Sequence, residues 1–338
     1  MASNAPSAPV ALRQLANGFM ISQALYVVAK LGIADLLTDG PRSGADLARA
    51  TEVDALSLYR VMRLLASVGV FTEDEDGRFR LTALAESLRT DAPGSMRAYV
   101  ITRGEEWLWR PWGALLHGVK TGDVPFEHVF GVGLFDYLAQ QPEAAAVFDQ
   151  AMTSRSSQEN SEIVSSYDFT GLSRVIDVGG GEGTFLASIL EAYPALYGSV
   201  FDQPQVVARA EAQIAARGLA DRCPCLAGDF FQSVPEGGDA YILSNVIHDW
   251  DDARAGAILR NCRQVMSPSV RLLVIETIIP PGNAPSPTKL IDLQMLVLTG
   301  GRERTAAEYQ ALLESAGLEL ARIIPTPTQV SVIEGALA

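Results

Sequence analysis

The part of the chain beyond Arg174 constrains the fold most strongly. Five short apolar runs, RVIDVG at 174–179, YGSVFD at 197–202, CPCLAGD at 223–229, DAYILSNVI at 239–247 and VRLLVIE at 270–276, alternate with amphipathic stretches at 184–193, 205–217 and 253–266. A parallel strand pair needs a long crossover, and crossover helices cover both faces of the sheet, so its strands are apolar throughout rather than at every second residue. The expected fold class is therefore α/β, a doubly wound and mostly parallel sheet. The end of the chain differs. LELARII at 318–324 and VSVIEG from 330 are joined by a linker too short for a helix, so they are expected to form an antiparallel hairpin at one sheet edge. In the preceding TAAEYQALLESAGL, Thr305 and Glu308 have the spacing of a helix capping box.

Before Arg174 the periodicity is helical. Residues 1–10 are small, polar and proline-containing, and read as a loose arm. SGADLARA pairs Ser43 with Asp46 at a helix start. DALSLYRVMRLLASVG puts Leu58, Val61, Met62, Leu65 and Val68 on one stripe ending at Gly69. VFTEDEDGRFRL then predicts a hairpin around Asp76-Gly77, followed by a helix capped by Thr82. Helix, helix, hairpin is a winged-helix-like order, open to use as a dimerisation module or as a DNA reader. Asp54, Glu73, Asp74, Glu75 and Asp76 around Arg60 and Arg63 disfavour the second use, and the surplus of apolar helix stripes favours a homodimer. The expected division is 1–105 for this winged-helix-like dimerisation domain, 106–170 for a helical linker contributing to a substrate pocket, and 171–338 for the α/β domain. The linker is rich in aromatics, of which Trp107 and Phe148 are candidates for lining a pocket for a flat ligand.

Charge narrows the partners. With 26 basic against 40 acidic residues the formal net charge is −14, so a phosphate backbone is repelled on average and nucleic acid is not an expected partner. No uninterrupted apolar stretch approaches the roughly 18 residues of a membrane span, and the first residues do not resemble a secretory signal, so no membrane association and a cytoplasmic location are expected. Cys223, Cys225 and Cys262 lack metal-site spacing, and no metal is expected.

The chemistry starts at VIDVGGGEGTF, where a strand meets a helix through Gly179, Gly180, Gly181 and Gly183. Glycines allow a sharp turn and a close approach of backbone to ligand. Counted from Gly179, the sixth position is Thr184, so the dinucleotide fingerprint is absent, and no Lys-Ser or Lys-Thr follows to make a P-loop. Asp177 beside the loop disfavours a pyrophosphate and favours a cation. S-adenosyl-L-methionine, with an ammonium and a sulfonium and no phosphate, fits that charge. Asp202 closes the next run, where an acid can accept both ribose hydroxyls, while Asp229 and Phe230 of GDFF suit the adenine amino group and ring face.

Taken together, DVGGGEG, FDQPQV, GDFF, HDWDD and RERT resemble, in order and spacing, the plant-caffeate-type family of small-molecule O-methyltransferases and its bacterial relatives in secondary metabolism. The resemblance covers most of the chain. It implies that Asp177, Gly179, Gly181, Asp202, Asp229 and Phe230 hold the methyl donor, with Trp250 of the HDW motif beside them. It further implies that His248 is the proton acceptor, flanked by Glu276 and Glu303, that Met152 and Met295 occupy pocket positions, and that the protein is a dimer through its amino-terminal domain. Many members carry a lysine that contacts the cofactor where this chain has Ser244, and FDQPQV stands in place of a commoner FDLPHV with its aspartate retained.

The implied reaction is methyl transfer to the hydroxyl of a small aromatic substrate. A phenol titrates near pH ~10 and an imidazole near ~6.5, so a neutral histidine can accept the proton. Three alternatives stand beside it: transfer to nitrogen or carbon, a non-methylation reaction in a drifted relative, and a winged-helix ligand-sensing regulator with no activity.

Overall fold

A computed structural model describes residues 6–338, apart from the side chains of residues 153–159. The first half of the expected arm lies outside these residues, and its second half is corrected, because the chain is already helical over Ala8–Ala16. Two compact units divide the chain. One runs to Trp109 and resumes over Pro142–Arg155, and the other comprises Arg110–Gln141 and Ser156–Ala338. The 106–170 segment is therefore not a single linker. Its longest element, the helix Pro142–Ser166, begins in the first unit and ends in the second.

In the first unit, strands β1 (Arg42–Ser43), β2 (Phe71–Glu73) and β3 (Arg78–Leu81) form an antiparallel sheet in the order β1-β3-β2. Asp74 builds the hairpin turn by accepting the Asp76 and Arg78 amides on one oxygen at 3.1 and 2.9 Å. Helix Ala55–Ser67 starts where the Asp54 carboxylate takes the Ser57 amide, a cap worth about 1 kcal/mol. Of its expected stripe, Leu58, Met62 and Leu65 are buried, packing with Phe71 and Phe79. Val68 is 42% exposed. It lies one residue past the helix, where the chain turns away at Gly69, so helical periodicity no longer governs it.

The second unit is built on a seven-stranded sheet of β4 (Arg174–Val178), β5 (Tyr197–Asp202), β6 (Cys225–Ala227), β7 (Ala240–Ser244), β8 (Arg271–Thr277), β9 (Leu318–Pro325) and β10 (Val330–Leu337). Their order is β6-β5-β4-β7-β8-β10-β9, parallel from β6 to β8, with β10 antiparallel to both neighbours. The final hairpin thus occupies the sheet edge predicted for it. Successive residues feed opposite cores: Val175, Ala240, Ile242 and Leu273 on one face, and Ile176, Tyr241, Leu243 and Leu272 on the other. Both faces are dry, which explains the uninterrupted apolar runs. Strand β6 is shorter than its run. Strand β7 stops at Ser244, three residues before the expected end, because Asn245 takes a left-handed conformation (φ 54°) and Ile247–Asp249 winds into a 3₁₀ turn. The winding direction reverses between β4 and β7, and such a switch point is where α/β sheets bind ligands, beyond the strands' carboxyl ends.

Candidate active site

The glycine loop leaves β4 and enters the helix Thr184–Ala192. Gly179 has φ 71°, and a Cβ there would sit 2.8 Å from Val246 Cγ2, so both conformation and space demand glycine. Beneath the loop, Asp177 is 1% exposed, and neither of its carboxylate oxygens has a hydrogen-bond partner among the described residues. A Cβ on Gly180 would lie 2.8 Å from that carboxylate, which places it directly against the loop. Burial, with the nearby charge of Asp202 second, pushes the Asp177 carboxyl up to about 7. A buried acid without a partner is costly unless something cationic completes it.

Asp202 ends β5. Its two oxygens accept the Gly181 amide at 2.8 Å and the Gln203 amide at 2.7 Å. Burial raises its pKa, although these amides and the Arg209 charge pull the other way. A carboxylate has about four acceptor positions, so it can fix the loop and still accept ligand hydroxyls. Asp229 is exposed and accepts the Phe231 amide at 2.8 Å. Phe230 and Phe231 meet Trp250 edge-on, with ring centres 6.1 and 4.8 Å away, and the Arg254 guanidinium lies 4.3 Å over the indole. Ser244, half-buried, closes β7 and receives the Asn245 amide side chain at 3.4 Å.

His248 sits in the 3₁₀ turn just past β7 and is 7% exposed. Glu276, near the end of β8, and Glu303, in the segment before helix Ala306–Ser315, are fully or almost fully buried at 0% and 1%. Both reach the same ring nitrogen. Nδ1 donates to Glu303 Oε1 at 2.9 Å, and Glu276 Oε2 lies 3.0 Å from it. On the other side of the ring, Asp249 Oδ1 is 3.9 Å from Nε2, too far for a hydrogen bond. The second oxygen of Glu276 accepts the amides of Val246, Ile247 and His248 at 3.0, 2.9 and 3.3 Å. One carboxylate therefore holds both the turn and the ring it carries. Burial alone would lower the imidazole pKa, but Glu276 and Glu303, with Asp249 beyond them, hold it well above 6.5.

Several contributors were not evident in the sequence. Asp292 accepts the Glu303 amide at 3.0 Å from helix Pro287–Leu298, which also buries Met295. Arg302 and Arg304, the neighbours a free-standing Glu303 would pair with, instead bind Glu308 and Asp252. Gly301 has no room for a side chain, since a Cβ would come within 2.0 Å of the His248 carbonyl oxygen. Trp107, Phe148 and Met152 belong to the first unit. There Trp107 is buried and meets Phe148 edge-on at 6.2 Å, and both Phe148 and Met152 lie half-buried on helix Pro142–Ser166. His117 and His128 are outside the His248 group and stack on each other with centroids 3.7 Å apart.

Residues 112–319 match the O-methyltransferase domain model, and residues 13–91 match the O-methyltransferase dimerisation domain. A phenazine O-methyltransferase of Lysobacter antibioticus is 46% identical over 96% of this chain and 94% of its own. A mitomycin biosynthesis 6-O-methyltransferase of Streptomyces lavendulae is 38% identical over 93% and 90%. An 8-amino-8-demethylriboflavin N,N-dimethyltransferase of Streptomyces davaonensis is also 38% identical, over 93% and 91%. Among solved structures, LaPhzM superposes with a TM-score of 0.93 at 44% identity, covering 99% of this chain and 100% of that one. NcsB1, solved with S-adenosylmethionine and 2-hydroxy-5-methyl naphthoic acid, has a TM-score of 0.84 at 33% identity, covering 94% and 96%.

Proposed function

The chain belongs to the O-methyltransferase family and is an S-adenosylmethionine-dependent enzyme, and on that premise we propose that it methylates a phenolic hydroxyl of a small aromatic natural product, with His248 as general base. We further propose that it works in the cytoplasm as a homodimer. The observation that carries the mechanism is the asymmetry of the imidazole: Nδ1 faces Glu303 and Glu276 at 2.9 and 3.0 Å, while the nearest oxygen of Asp249 is 3.9 Å from Nε2.

The residues present fit the methyl donor. Asp177 offers a buried carboxylate with two unpartnered oxygens to a cation, and the loop at Gly179 admits no side chain. Asp177, Gly179, Gly181, Asp202, Asp229, Phe230, Ser244 and Trp250 would hold it. When bound, S-adenosylmethionine supplies an electrophilic methyl group on a sulfonium. The chain itself orients the imidazole, keeps a proton on Nδ1 by hydrogen-bonding it to the carboxylates, and leaves Nε2 to take the proton of the acceptor hydroxyl. Glu276 and Glu303 then stabilise the imidazolium that forms, much as an aspartate does in a hydrolase triad. Their charge also narrows the gap between the imidazole and a phenol near ~10, which eases the transfer. Met295 is the candidate for contact with the acceptor ring.

Labelled donor with a panel of hydroxylated aromatic acids and polycyclic phenols tests this reading. The expected result is mass gain of one methyl on oxygen. His248→Ala should lower kcat by about 10²–10⁴-fold while donor affinity is retained. Full turnover in H248A would remove the base assignment. Methyl found on nitrogen would favour the alternative that the similarity to an N,N-dimethyltransferase raises, since a neutral amine attacks before it loses its proton. The regulator reading is set aside by family membership.

A further inference from the structure

Arg304 is a fully buried cation, 0% exposed, and every one of its donors is used. Nε and Nη2 donate to Asp252 Oδ1 at 3.0 and 2.8 Å, Nη1 to the carbonyls of Ile247 at 3.1 Å and Arg302 at 3.3 Å, and Nη2 to the carbonyl of Trp250 at 2.9 Å. A guanidinium has five N–H groups, and these five bonds account for all of them. Two of its acceptors, Ile247 and Trp250, flank the pair His248-Asp249. Meanwhile the amides of Val246, Ile247 and His248 all converge on Glu276 Oε1. The Arg302 amide takes the carbonyl of His248 itself, at 2.8 Å. The turn that carries the imidazole is therefore gripped by an anion on its N–H groups and by a cation on its carbonyls. Both grips come from chain far from it in sequence.

We propose that Arg304 is a positioning residue for His248: its guanidinium holds the carbonyls on either side of the imidazole and so delivers the ring, already oriented, to Glu276 and Glu303. This rests on the reading of His248 as the base. Arg304 touches neither the ring nor any reacting atom, and it acts by fixing the backbone from Ile247 to Trp250. The charged groups that face the imidazole are Glu276 from β8, Glu303 from the segment ahead of helix Ala306–Ser315, and Asp249 from the turn itself. If the turn shifts, the ring leaves the two carboxylates on Nδ1, and its proton affinity falls toward that of an ordinary histidine.

The test is Arg304→Lys in the full-length enzyme, which keeps the charge and loses the fork. Four readouts are needed: kcat, donor affinity by calorimetry, the acid limb of the kcat/KM profile, and the His248 imidazole titration by NMR. With three histidines in the chain, that resonance is assigned by its absence in H248A. Expected are a kcat lower by about 10–100-fold, unchanged donor affinity, and an imidazole that titrates at lower pH than in the wild type, with the kinetic limb following it. A purely structural role would lower the amount of folded enzyme and leave the titration of the surviving molecules where it was, which would overturn the proposal. Asp252→Asn is the companion variant and stands in if R304K does not fold. Asp252 is exposed, and the carbonyl bonds of Arg304 do not need it, so kcat should stay within about threefold of wild type and the imidazole should not move. A D252N titration displaced from wild type would assign the effect to the ion pair instead and sink the carbonyl grip. Because the NMR titration does not depend on turnover, loss of the base reading through an active H248A is distinguishable from loss of this one.

Discussion

Asp177→Asn should make the donor-free protein more stable, in a way that depends on pH. The wild-type carboxyl is fully buried without a hydrogen-bond partner among the described residues, and its pKa rises from 3.8 to about 7. The folded state therefore binds a proton that the unfolded state has released between these values. Stability falls as pH rises through that window, and the loss is complete above the folded value. Three pKa units at about 1.4 kcal/mol each amount to about 4 kcal/mol. The asparagine carries no charge to desolvate, although its buried amide offsets part of the gain, by about 1–2 kcal/mol. Thermal unfolding without donor, at fixed protein concentration, should show variant and wild type close together near pH 5 and the variant higher by several degrees at pH 8. Donor titration should show the opposite preference, because the unpartnered carboxylate is what we expect a cation to complete. In wild type near neutral pH, donor binding should also release a fraction of a proton, visible as a dependence of calorimetric heat on buffer ionisation. A variant less stable than wild type at pH 8, or a stability difference that ignores pH, would refute the reasoning, since either would mean that Asp177 is ionised and satisfied in the empty fold.

The remaining predictions concern the imidazole and the loop. The wild-type kcat/KM should rise with pH along a limb lying above 6.5, because the carboxylates hold the His248 proton. Glu303→Gln should move that limb down, and an unmoved limb would mean that Glu303 does not set it. The same raised value has a stability consequence: the contribution of the His248 group is fully present below about 6.5 and is lost as pH climbs through the folded value, so stability of H248A should depend less on pH over that range. Gly179→Ala should cost about 1–2 kcal/mol for its left-handed backbone, more for the 2.8 Å approach to Val246, and should weaken donor binding. Donor affinity equal to wild type in G179A would show that the loop does not approach the ligand closely.

Local physics made much of the fold legible. Turn residues, capping spacings and apolar runs act over a few residues, so the hairpin at Asp76-Gly77, the Thr305–Glu308 capping box and the strand–helix alternation after Arg174 could each be read without knowing any distant contact. The acids and glycines proposed to hold the donor stood out for a related reason, since they lie at or just beyond the carboxyl ends of parallel strands, where this kind of sheet binds ligands. The family resemblance supplied the expected roles of His248, Glu276 and Glu303 and left their geometry open.

That geometry was decided by long-range packing. Glu276 reaches Nδ1 because β8 lies beside β7, and Glu303 reaches the same nitrogen because the segment beyond helix Pro287–Leu298 runs back across the turn, where Gly301 alone leaves room. Asp177 gives no local sign of being unpartnered, and Arg304 gives none of binding carbonyls rather than the adjacent glutamate. Sequence periodicity determines which residues turn inward. Which buried charge meets which is settled only when segments separated by dozens of residues are brought together, because the cost of leaving any of them unpaired is felt only there.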